Sequence, residues 1–456
     1  MDTAISIYAE LLPNIRQVSI AVTLASPPNS STKSTIRDFP ASIPTLSVHH
    51  AGSSKSLTLP ASVAVPDGYE LPIIPGRPLE WRLPVHPQNS KAQVEDEVPW
   101  EAKDLVAGSM VSCRHCNATL VLKGSVEVWK DLPAEGWAEM MEFWHCHKPG
   151  DDHGHGHGDS GCAEERVDKD EDRERLASRG YGANSAILAQ KGVGFVDLTT
   201  FLFHDEDCKG VQLPTYTENG TTPAGKGNSL KSEGNVMDLT SATEEGDGNE
   251  VVNGHQRKPP APGSLDIFCK SCSTQVGCLN NAKGGISLFK WAVTVPTTSS
   301  LPSSPQLAEC ISAILSATKA RTGSSKALLL PIPGTEPLPC EGEDGVREQP
   351  AVYTQILIPA ITYASTEQPA ESSPAQGVDA GVPAMKILYR PVEKEEVDKM
   401  LEDLRSDVQE VNLAWEEISR LLREDGLSQT TRLLPVGQRE LMGCKVGLLA
   451  RWASSS

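Results

Sequence analysis

Two short stretches constrain this chain more than any others: "CRHC" at 113 to 116 and "CKSC" at 269 to 272. Each is a Cys-x-x-Cys turn with basic or polar residues inside it and an apolar run after it. Two intervening residues let both thiolates of a turn face one ion. Two such turns close a tetrahedral four-cysteine shell, the arrangement of a structural zinc site. Cys113, Cys116, Cys269 and Cys272 are therefore the expected ligands of a Zn2+ ion, with Arg114 and Lys270 positioned to offset the thiolate charge. Such an ion contributes on the order of 10 kcal/mol of apparent binding free energy in small zinc domains. The pairs are far apart in sequence, but closure entropy grows only logarithmically with loop length. A redox reading fits less well, because a thioredoxin-like site needs one pair in a βαβ setting and here two pairs lie in hairpin settings.

What lies between the pairs supports an insertion. Residues 151–185 are dominated by Asp, Glu, Gly and His, and 210–262 has no hydrophobic periodicity, so neither stretch can bury enough apolar area to offset its chain entropy. The whole chain of 456 residues is only 38% hydrophobic and 5% aromatic, in keeping with much of it lying outside any core. Its net charge of -19 opposes binding to a phosphate backbone, so direct nucleic-acid binding is not expected. No run of about 18 apolar residues offers a membrane span. The start, "MDTAISIYAELL", lacks the basic region of a secretory signal, which points to the cytoplasm or nucleus. In that reducing setting eleven cysteines are better read as metal ligands or reactive thiols than as a disulfide framework.

Strand-like runs dominate. "RQVSIAVTLA", "KSLTLPASVAV" and "LEWRLPVH" predict an N-terminal antiparallel β domain over 1–100. A first knuckle region covers 105–209, a disordered linker 210–262, and a second knuckle with mixed strands and helices 263–456. The expected class is α+β, predominantly β. Leu307, Cys310, Ile311, Ile314 and Leu315 form a helical stripe behind Pro305, and "AMKILYRPV" reads as a buried strand. Val397, Leu401, Leu404, Val408, Val411, Trp415, Ile418 and Leu422 recur at steps of three and four. They predict one long helix over 393–424, C-capped by Gly426 and packed on the core.

The stretch "LPAEGWAEMMEFWHCHKPG" is of another kind. Trp137, Met140, Met141 and Trp144 predict a short amphipathic helix ending at His145-Cys146-His147, before Pro149 and Gly150. A thiol between two imidazoles at an exposed helix end can be an activated nucleophile or a metal ligand offered to a partner; the plainer alternative is a packed Cys146 between solvated histidines. His153, His155 and His157 alternate with glycines, and a flexible surface loop is the simpler reading of them.

"CRHCNATL", "LPAEGWAEMMEFWHCHKP", "GFVDLTTFLFH", "FCKSCSTQVG" and "AMKILYRPV", in this order over about 105 to 392, resemble the HECT-like ubiquitin ligase family that binds ubiquitin-conjugating enzymes. The resemblance implies a protein that accepts ubiquitin from a conjugating enzyme and passes it to protein substrates. It carries the zinc role onto Cys113, Cys116, Cys269 and Cys272 and the functional segment onto Trp144, Cys146 and His147. It also implies, for some relatives, association with the metallo-β-lactamase endonuclease of pre-mRNA 3′-end processing.

Cys146, with His145 and His147 beside it and Trp137 and Trp144 as partner-binding residues, is the first candidate for transthiolation. Cys310 is expected on a buried helix face and Cys278 in a strand. Cys162, Cys208 and Cys340 are expected in loops without activating neighbours, and Cys444 in a strand. The alternatives are a zinc-stabilised binding protein that chaperones or inhibits that endonuclease by presenting the same thiol to its metals, and a scaffold for assembly alone.

Overall fold

The computed structural model describes residues 5–37, 44–74, 76–86, 98–132, 187–212, 265–298, 304–333, 335, 350–367, 381–403, 405–423 and 426–453. Strands dominate and helices are few, as the composition of apolar runs suggests. A nine-stranded sheet forms the backbone of the fold. Its main path runs Glu440–Leu441, Cys444–Ala450, Val382–Val392, Ala351–Ser365, Ile5–Leu12, Gln17–Leu24 and Leu79–Pro84. Lys326–Pro331 also pairs with Ala351–Ser365, and Gln409–Leu413 joins it from the far side in the sheet's one parallel pairing.

Strands from the first hundred residues are thus embedded in a sheet with strands from the last hundred: Tyr8 lies opposite Ser365 and Leu11 opposite Thr362. The four-stranded sheet of Lys33–Arg37, Thr45–His50, Ser53–Thr58 and Tyr69–Glu70 packs over their free face. Ile7, Val18 and Ile20 meet Ile36, Leu46 and Val48 there in one apolar layer.

The "AMKILYRPV" strand is buried continuously from Ala384 to Tyr389, as its unbroken apolar run suggests. Lys386 lies within that run, and its ammonium pairs with the carboxylate of Glu10, which also accepts from the Tyr8 hydroxyl at 2.8 Å. The predicted helix behind Pro305 is present as Leu307–Thr322. It starts at a Gln306/Glu309 capping box, ends at Gly323 with φ 76°, and buries Cys310, Ile311 and Leu315.

The long helix predicted over 393–424 does not form. Helix Lys394–Glu402 is followed by strand Gln409–Leu413 and then helix Trp415–Leu422. Val411 and Leu413 are buried while Glu410 and Asn412 are exposed, so the segment satisfies a period of two as well as of three and four. Pairing with Lys326–Pro331 decides between them, since it supplies backbone hydrogen bonds and burial that outweigh small differences in helix propensity. Gly426 is not a C-cap either: it opens the next helix, Leu427–Leu433, and Leu404 lies outside the described residues.

Candidate metal centre

A second body of sheet carries the two cysteine turns. Seven strands run in the order Val128–Asp131, Val193–Val196, Thr200–Phe203, Gly285–Phe289, Gln275–Asn280, Leu265–Cys269 and Val211–Gln212. A three-stranded sheet of Val293–Thr294, Val111–Cys113 and Thr119–Val121 lies beside it. Trp129 packs on Phe201 and Phe203 at 5.3 and 5.7 Å, in the same apolar cluster that receives Cys113 and Cys269.

Each cysteine pair occupies the turn of a hairpin, and the two turns are built alike. Cys113 N–H donates to the Ala118 carbonyl and Asn117 N–H to the Cys113 carbonyl; Cys269 N–H donates to Thr274 and Ser273 N–H to Cys269. Asn117 and Ser273, each four residues after the first cysteine, are both left-handed, at φ 58° and 56°. The first cysteine of each pair is buried, whereas Cys116 is exposed and Cys272 half-buried.

The segment 208–212 joins the hairpins. Gly210 N–H donates to the Leu120 carbonyl of the first, and the Gly210 carbonyl accepts from Lys270 N–H in the second. Val121 bridges to Cys208, and Val211 lies opposite Cys269.

This stitching brings the four sulfurs within 4.8 Å of one another. Cys113 Sγ is 3.8 Å from Cys272 Sγ and Cys116 Sγ is 3.7 Å from Cys269 Sγ. Sulfurs about 2.3 Å from a tetrahedral ion stand about 3.8 Å apart, so the donor set fits a single soft divalent cation. All four are free thiols, far beyond disulfide distance.

Burial pushes the Cys113 thiol up to about 12. Burial also acts to raise Cys272, but hydrogen bonding to Thr274, whose hydroxyl oxygen lies 3.3 Å away, and to Cys116 and Cys269 outweighs it, leaving Cys272 at about 6. Arg114 and Lys270 are not spent on the thiolates as the sequence suggests. Arg114 donates to the carbonyls of Pro305 at 2.7 Å and Trp291 at 3.4 Å, and Lys270 to that of Lys209 at 2.7 Å. Arg114 therefore ties the first turn to the chain entering helix Leu307–Thr322.

The other described cysteines are removed from solvent. Cys208, Cys278, Cys310 and Cys444 are all buried. Burial pushes Cys208 and Cys310 up to about 12, which leaves them protonated and unreactive at neutral pH. Trp137, Trp144, His145, Cys146 and His147 lie outside the described residues, as do Cys162, Cys340 and the histidines at 153, 155 and 157. The joining role of Gly210 escapes sequence reasoning; its signal is only a glycine placed between Cys208 and a short apolar strand.

The family model described as "HECT-like Ubiquitin-conjugating enzyme (E2)-binding" matches residues 10–446. An uncharacterized protein of Saccharomyces cerevisiae is 32% identical over 81 residues, 16% of this chain and 23% of the relative. An uncharacterized protein of Schizosaccharomyces pombe is 40% identical over 57 residues, 12% of this chain and 16% of that relative. The chain thus matches less than a quarter of either relative's length. No solved structure matches.

Proposed function

The chain belongs to the HECT-like family that binds ubiquitin-conjugating enzymes, and from that membership we propose that it is a ubiquitin-protein ligase. It accepts ubiquitin from a conjugating enzyme as a thioester and passes it to protein substrates. The accounting of thiols carries this reading. Of the eight described cysteines four share one cluster and four are buried, so the chemistry falls to a cysteine elsewhere in the chain.

Cys146 is the residue we assign. Its thiolate attacks the carbonyl carbon of the conjugating enzyme's thioester, the enzyme's sulfur departs as thiolate, and a substrate lysine amine later attacks the new thioester. His145 and His147 supply the adjacent bases that take up the Cys146 proton. The ion we infer in the four-cysteine cluster is Zn2+, held by Cys113, Cys116, Cys269 and Cys272. With no position left for water, it serves as a crosslink between the two hairpins.

Mixing the purified chain with a ubiquitin-charged conjugating enzyme tests the reading. The expected product is a reductant-sensitive ubiquitin adduct that is absent from Cys146→Ala. If the folded, metal-loaded chain binds the enzyme yet forms no adduct, ligase chemistry is excluded and a binding role remains.

A further inference from the structure

The last two strands of the large sheet form a hairpin, Glu440–Leu441 with Cys444–Ala450, in which Glu440 faces Lys445 and Leu441 faces Cys444. Its two-residue loop is Met442-Gly443, and both residues have positive φ, 54° and 74°. A loop of this kind favours Asn-Gly, because asparagine tolerates the left-handed region and a long side chain does not. Met442 instead holds that conformation with 89% of its surface exposed, and Leu441 and Val436 in the same segment are 45% and 68% exposed.

Two unfavourable choices therefore coincide at one residue: a left-handed methionine, and an apolar side chain in water. Backbone strain of this sort persists where a function uses it. The base of the loop is held firmly. Arg439 donates to the carbonyls of Leu434 and Arg432 at 2.9 and 2.8 Å, and Cys444 and Val446 are anchored in the core. The tip is also a basic island. Residues 432–445 carry Arg432, Arg439 and Lys445 against Glu440 alone, a net of +2 (3 minus 1), on a chain whose net charge is -19.

We propose that this tip is the docking finger for the ubiquitin-conjugating enzyme. It inserts the Met442 side chain into an apolar pocket with an acidic rim on that partner. An unbranched, polarizable thioether suits such a pocket because it adapts to irregular walls, and the surrounding arginines and lysine steer the encounter. The inference rests on the conjugating-enzyme reading above and adds where contact is made.

The test uses the full chain, a panel of purified conjugating enzymes and a binding titration at physiological salt, with thermal melts alongside. Met442→Asn is expected to weaken binding of the preferred enzyme by about tenfold or more, as loss of a central apolar anchor does. The same change is expected to hold or raise Tm, since asparagine suits the loop better. Met442→Leu, which keeps the apolar contact, is expected to stay within about threefold of the native chain. A structural role alone would not move affinity and stability in opposite directions. Unchanged affinity in Met442→Asn overturns the finger, as does an effect confined to self-association measured by light scattering. Failure of the native chain to bind any enzyme of the panel removes the underlying reading instead.

Discussion

A Cβ on Gly210 would stand 1.9 Å from the carbonyl oxygen of Thr119 and 2.8 Å from the Cα of Leu120. The backbone of 208–212 can lie between the two cysteine hairpins only because no side chain is there. Gly210→Ala is expected to push the hairpins apart and lower the affinity for metal. Competition with a chelator of known affinity measures this. Equal metal affinity in the two proteins would show that the close approach does not set the cluster's geometry.

One ion per chain is the stoichiometry expected from elemental analysis of the purified protein. The double change Cys113→Ser, Cys269→Ser removes one sulfur from each hairpin and is expected to abolish binding. Since ligand thiols must be deprotonated, acidification should release the ion as protons compete for sulfur. Unfolding should become easier in chelator, as the crosslink between hairpins is lost. Identical thermal melts with and without chelator would contradict a structural ion.

Glu10 and Lys386 form a buried pair between the first strand and the "KILYRP" strand, with side chains 7% and 9% exposed. Removing one charge strands the other. Lys386→Met is expected to cost about 3–5 kcal/mol of unfolding free energy. The double variant Glu10→Gln, Lys386→Met removes both charges while keeping an acceptor for the Tyr8 hydroxyl, and should recover much of the loss. Denaturant titrations of the four proteins form the cycle; simple additivity would mean the pair is not coupled.

Burial lifts the Glu309 carboxyl from its ordinary 4.5 to about 7, against the lowering effects of Gln306 N–H and Arg114. Between those values the folded chain keeps a proton that the unfolded chain releases, so this group's contribution falls as pH rises and is fully lost above about 7. Glu309→Gln keeps the cap and should remove that decline. The comparison is the difference in urea midpoint between about pH 5 and pH 8 in each protein. An equal difference in both would mean that Glu309 titrates normally.

Much of this molecule is legible from sequence because its signals are local. The two Cys-x-x-Cys turns name their own ligands, since spacing alone lets two thiolates converge. Pro305 and the stripe from Leu307 to Leu315 specify a helix without reference to anything else, and "AMKILYRPV" announces a buried strand by its unbroken apolar run. The four sulfurs were expected to share one ion, and they do lie together at tetrahedral spacing.

Tertiary structure decided the rest, where the same residues satisfy two patterns or where the partner is distant in the chain. Val411 fits a helix and a strand equally, and only the open side of Lys326–Pro331 selects the strand. Ile5–Leu12 reads as a strand, but nothing in it names Ala351–Ser365 as its neighbour. Arg114 and Lys270 look like counterions for sulfur, yet carbonyls brought close by folding take their hydrogen bonds. Local sequence determines the elements and the ligands, because propensity, spacing and chirality act over a few residues. Pairing, register and the use of each charge depend on backbone groups and surfaces that exist only once distant segments have met.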